Sequence, residues 1–115
     1  MQIFRGLLVL AWLAVVLVSA HAIQAMGAQT AGDVFVSDFS HPWRAQFNTD
    51  FSFHLLLMAS WIAFREKTLI RGLPFGALAI LLGGAFSFAY IVVATFRAKG
   101  DMRRIMLGER YQTPA

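Results

Sequence analysis

All ten Lys and Arg residues stand at or near the ends of long apolar runs, whose interiors are almost free of charge. An ionised side chain at mid-bilayer costs on the order of 2.5 to 3.5 kcal/mol even on lenient scales, so this pattern keeps charge out of hydrocarbon. With 58% hydrophobic and 14% charged residues and a mean hydropathy of +0.62, the chain departs from the composition of water-soluble domains. The expectation is an all-α integral membrane protein with three transmembrane helices at about residues 4–26, 44–65 and 73–97. The helices would form one bundle over 1–97, with a loop at 27–43 and a polar, basic tail over 98–115 resting on the headgroups.

The first run has the shape of a secretory signal: Arg5, an apolar centre, then Ala20 and Ala22 flanking His21 as a possible cleavage site. The uncharged stretch continues to Met26, long enough to span, and the segment reads as a retained first helix. The loop that follows mixes Gly, Ser, Thr, Asp and Pro, and leads through His41 and Pro42 to an interfacial Trp43.

Residues 43–66 organise the rest. Only 51–64 is uncharged, and as a helix it measures about 21 Å against a hydrocarbon core of about 30 Å. A crossing must therefore recruit 44–50, which carries Arg44 and Asp50. Asp50 and His54 are four apart and share a face with Phe47, Leu57 or Met58, and Trp61. Beyond the cationic turn with Arg65, Lys67 and Arg71, residues 74–96 are uncharged and would make a helix of about 34 Å. Gly76, Ala79, Gly83 and Ser87 give this segment a small face suited to close helix packing, within the bundle or against a partner subunit. Phe86, Phe88 and Tyr90 would meet lipid or other side chains, or line a carotenoid or quinone groove.

Three crossings divide the cations ambiguously. Arg5, Arg65, Lys67 and Arg71 fall on one side; Arg44, Arg97, Lys99, Arg103, Arg104 and Arg110 fall on the other. The basic start and compact cationic turn favour a cytoplasmic N-terminus in a multi-pass protein of a bacterial inner membrane.

Asp50 at a helix start, Trp61, the turn ending Arg71-Gly72, Gly83-Gly84 and Tyr90 together resemble a family of small three-helix bacterial membrane proteins of unknown function. The resemblance covers about residues 50–97. It implies the three-helix fold and its orientation, and no chemistry.

With no cysteine, disulfides and thiolate chemistry are excluded. There is neither a phosphate loop nor a basic RNA-binding motif, so no nucleic-acid partner is expected. Antiparallel packing of three helices would gather His21, His41, Asp50, His54 and the segment from Tyr90 to Arg97 at one leaflet. There Asp50 would pair with His54 or Arg97 to orient the bundle. Alternatively His54, with His21, would hold haem b or a bacteriochlorophyll-type pigment. No ligand spacing for a metal appears, and Ser52, Ser60 and Ser87 lack a base at any motif spacing, so no enzyme is expected. The sequence therefore reads as a small accessory or assembly subunit whose partners are other membrane subunits and lipid, with a cofactor-binding subunit of a light-harvesting or electron-transfer complex as the alternative.

Overall fold

The computed structural model describes residues 1–112, and among them are six α-helices. They are α1 Gln2–Met26, α2 Ala31–Ser37, α3 Pro42–Arg65, α4 Leu69–Leu82, α5 Gly84–Arg97 and α6 Met102–Leu107. The last three residues of the expected tail, 113–115, lie outside the described residues.

Local chemistry sets the helix ends. α3 begins with Pro42 at its start, where a missing N–H costs nothing, and the His41 ring accepts from the Arg44 amide at 3.4 Å. α6 begins at Asp101, whose carboxylate accepts from the Arg103 amide at 2.9 Å. The turn into α6 passes through Gly100 at φ 78.

The decisive feature is the chain reversal at Gly83. Its φ of 58 and ψ of −133 stop α4, and α5 folds back so that Phe75 meets both Phe86 and Tyr90, with ring centroids 6.1 and 6.0 Å apart. α4 runs antiparallel to α3, with Gly72 against Ala63, Gly76 against Ala59, and Gly83 against Phe51 and Leu55. α5 runs antiparallel to α1: Trp12 donates to the Ala85 carbonyl at 2.8 Å, and Arg5 donates to the Thr95 hydroxyl and carbonyl, both at 2.9 Å. The four helices thus stand in the order α1, α5, α4, α3, in a molecule 55 × 27 × 25 Å.

The core between them is made of small residues. Ala59, Ala79, Ala94 and Ala98 are buried with Gly72 and Gly76, and Ile62 is the only large hydrophobic among the described residues that is wholly enclosed. The close approaches explain this. A Cβ on Gly72 would lie 3.0 Å from the Ala63 carbonyl oxygen, and one on Gly76 would lie 3.3 Å from that of Ala59.

This architecture replaces the expected three transmembrane helices. Among the described residues only α1 is long and apolar enough to cross a membrane. The third expected helix, 73–97, is two helices of 14 residues each, about 21 Å apiece, folded on one another. The second, 44–65, has the length but not the apolarity, since α3 carries Arg44, Asn48, Thr49, Asp50, Ser52 and His54 before Leu55. The loop expected at 27–43 is largely helical: α2 is flanked by single 3₁₀ turns, and the Asn48 amide donates to the Phe35 carbonyl at 3.3 Å to hold it on α3.

Gly83→Ala should lower stability by about 1 to 3 kcal/mol, the strain of an L side chain at that backbone conformation. Ala77→Leu, on an exposed face of α4, should change it by less than about 0.5 kcal/mol. Thermal melts of the two variants beside the parent check both expectations; equal melting would mean that the reversal does not depend on glycine.

Candidate functional site

The polar chemistry collects where the N-terminus, the α3–α4 turn and the segment after α5 come together. Arg65, the last residue of α3, is 8% exposed. Its Nε donates to the Ile105 carbonyl at the end of α6, and its Nη1 donates to the Tyr90 hydroxyl at 2.8 Å. That hydroxyl in turn donates to Glu66 Oε1 at 2.7 Å. The guanidinium also lies over the rings of Trp61 and Tyr90, 5.5 and 5.2 Å from their centroids. One cation thereby ties α3, α5 and α6 together.

Helix-end electrostatics reinforce the arrangement. The final carbonyls of a helix lack intrahelical donors and carry the negative end of its dipole. Trp61 Nε1 donates to the Met106 carbonyl at 3.1 Å, and Arg110 Nε returns the exchange to the Phe64 carbonyl at 2.6 Å. Gly108, with φ 58, fits between them because a Cβ there would sit 2.7 Å from the Arg65 carbonyl oxygen. Arg71 pairs with Glu109 at 2.6 Å, and the same carboxylate accepts from the Lys67 amide at 3.2 Å.

Two cavities adjoin this network. A polar one of about 390 Å³ is lined by Arg65, Glu66, Arg97, Arg104, Glu109 and Tyr111. An apolar one of about 260 Å³ lies beside it between α4 and α5, lined by Phe75, Phe86, Ala89, Tyr90 and Val93. Arg65, Glu66 and Arg97 form part of both walls.

The residues singled out in the sequence are dispersed. Asp50 and His54 pair on α3 at 3.3 Å, both well exposed, with His54 Nδ1 2.8 Å from the Asp50 carbonyl oxygen. Arg97 stands apart from them, at the other end of the molecule with Arg65 and Arg104. His21 is exposed on α1, and no group of three metal-ligating side chains occurs among the described residues. Gly76 and Ala79 pack against α3, Gly83 makes the reversal, and Ser87 is buried on α5. Because the chain turns at Gly83, the segment from Tyr90 to Arg97 meets the α3–α4 turn rather than His41 and Asp50.

The network of Arg65, Glu66, Tyr90, Arg104 and Gly108 was not singled out as a site. Two signals bear on it: Trp61 and Arg65 are four apart on one helix face, and the apolar 105–107 in a polar tail needs somewhere to pack. Compared with protein-family models, curated proteins and solved structures, the chain finds no match.

Removing the Arg65 charge should release α6. Arg65→Met keeps much of the side-chain volume but forfeits two hydrogen bonds from a charged donor, each worth about 1.5 to 3 kcal/mol. Hydrogen–deuterium exchange across residues 102–107 should accelerate markedly in Arg65→Met and stay unchanged in Arg103→Gln, whose side chain is exposed.

Proposed function

We propose that this chain is a small accessory subunit of a membrane assembly, anchored by α1, with its basic end in the cytoplasm. The observation that carries this reading is the sorting of charge along the molecule. Arg5, Arg65, Lys67, Arg71, Arg97, Lys99, Arg103, Arg104 and Arg110 gather at the end where Met1 touches Gly100, and only Arg44 lies at the other. That end holds nine cations against three carboxylates, and the far end holds one against three. The reversal at Gly83 removes the ambiguity that three crossings would create, and the positive-inside tendency then favours a single orientation.

The inverted distribution of side-chain size supports the same reading. Glycine and alanine fill the contacts between helices, while Leu10, Leu17, Val18, Ile70 and Leu81 are more than 60% exposed. Helices that associate in lipid gain nothing from hiding large apolar groups and pack through small ones. In the most apolar stretch of α1 only 6% of residues are buried. α3 runs back along the hairpin, so that Arg65 and Met1 share an end, but it is not apolar enough to count as a second crossing. Its polar first half is partly satisfied from within: Thr49 and Ser52 donate to the carbonyls of Ala45 and Asn48 at 2.8 and 2.7 Å. The α4–α5 hairpin then dips into the membrane from the cytoplasmic face without crossing it, sheltered between α1 and α3. What remains for partners is the exposed apolar surface of α1 and α3.

The absence of cysteine makes orientation simple to measure. In spheroplasts, an impermeant maleimide should label Ala31→Cys and should label Lys67→Cys only after lysis. The opposite pattern would sink the orientation and with it the proposed anchoring.

A second reading is favoured by one detail. The Asp50 carbonyl fixes the Nδ1 side of His54, leaving Nε2 on an exposed apolar helix face in the manner of an axial ligand to a pigment or haem. Chain purified from its native membrane would then show a Soret or bacteriochlorophyll band that disappears in His54→Leu. A featureless visible spectrum removes this alternative.

A further inference from the structure

We propose that the two adjoining cavities at the basic end form one binding site for an anionic amphiphile, a phosphate headgroup in the polar chamber and an acyl segment in the groove between α4 and α5. The argument begins with which charges in the chamber are already engaged. Glu66 accepts from Tyr90 at 2.7 Å, and Glu109 accepts from Arg71 at 2.6 Å and from the Lys67 amide. Arg65 is committed to the Ile105 carbonyl and the Tyr90 hydroxyl. One guanidinium is left over and a second is only partly engaged. Arg97 makes no hydrogen bond or ion pair among the described residues. Arg104 makes a long ion pair with Asp101 at 3.8 Å and lies over the Tyr111 ring, 5.0 Å from its centroid, but its solvent-shielded Nε makes no hydrogen bond.

A buried donor without an acceptor is costly, and planar guanidiniums match the geometry of phosphate oxygens. An anion bound in the chamber would give the exposed Arg97 guanidinium, and the accessible part of the Arg104 side chain, which is 43% exposed, a charged acceptor. Away from the charged residues it shares with the chamber, the neighbouring groove is walled by Phe75, Phe86, Ala89 and Val93 and suits hydrocarbon. Because Arg65, Glu66 and Arg97 belong to both walls, a ligand occupying both spaces must change from anionic to apolar within a few atoms. An anionic phospholipid has that composition, and the basic end is where the cytoplasmic leaflet would present one. In this last respect the inference rests on the proposed orientation, but the binding chemistry does not.

The test therefore uses the full chain in a nonionic detergent, where orientation is irrelevant. Native mass spectrometry and thermal shift should report one equivalent of short-chain phosphatidylglycerol, with phosphatidylcholine of equal chain length much weaker and inorganic phosphate weak. Arg97→Gln, whose side chain is exposed and has no partner to strand, should weaken phosphatidylglycerol binding about tenfold, the loss of one charge-assisted hydrogen bond, with melting unchanged when no lipid is added. Val93→Trp should obstruct the groove and weaken the lipid while leaving inorganic phosphate unaffected. Equal affinity for the two lipids, or full affinity in Arg97→Gln, would overturn the site. Phosphate as tight as the lipid would mean a free-anion site and overturn the acyl groove. Specific lipid binding together with reversed labelling in spheroplasts would retain the site and reject only the orientation.

Discussion

The reversal at Gly83 is the constraint on which the rest of the structure depends. A positive φ with ψ near −133 is open to glycine and strained for anything else, and no side chain has to be polar to make it. The turn therefore sits inside an uninterrupted apolar run, where α4 would otherwise have continued. Once the chain doubles back, α4 is assigned to α3 and α5 to α1, and both halves of the hairpin find small-residue faces to approach. Gly84 shares in this: a Cβ there would fall 2.8 Å from the Phe88 ring and 3.2 Å from Val15.

A second consequence of the reversal is electrostatic. It carries Tyr90, Thr95 and Arg97 back to the end from which α4 started, so every cation but Arg44 gathers there. So much positive charge repels itself, and the structure answers locally. Arg65 is stabilised by helix-end carbonyls and aromatic faces, Arg71 by Glu109, Arg110 by the Phe64 carbonyl and ring, and Arg5 by Thr95 and the Phe96 ring. Arg97 and Arg104 are left less well provided for, and both border the same chamber.

The helical character of the chain and the start of α1 could be read from apolar runs and charge placement, because those signals are averaged over twenty or more residues. The reversal could not. Gly83 falls on the four-residue repeat with Gly76, Ala79 and Ser87, so it reads as one more small residue on a packing face. Its neighbours Leu82 and Ala85 give no sign of a turn. Misplacing that single residue moved the segment from Tyr90 to Arg97 to the wrong end, and Arg97 was matched with Asp50 instead of the chamber with Arg65. The Asp50–His54 pair depended only on spacing within one helix, and it lies where that spacing places it. Arg65 looked like an interfacial cation because its partners, the carbonyls of α6, are backbone groups without a sequence signature.

Burial makes sense once it is considered by residue size. Contacts made by Gly72, Gly76, Ala59 and Ala79 bury little apolar area per residue, so in water they contribute little against the ordering of the backbone. Under the proposed membrane placement the comparison changes. The outer Leu and Ile side chains need no shelter, backbone groups are satisfied within each helix, and dispersion between closely spaced helices suffices. The one place where that logic fails is the basic end, where polar groups need partners that hydrocarbon cannot give. There Arg65, Tyr90 and Glu66 satisfy one another, and Glu109 accepts from Arg71 and from the Lys67 amide. The stability of the hairpin base therefore rests on hydrogen bonds and ion pairs, and that of its tip on the backbone conformation of Gly83 and the close packing at Gly84. Substitutions that change charge should act at the base, and substitutions that add volume should act at the tip.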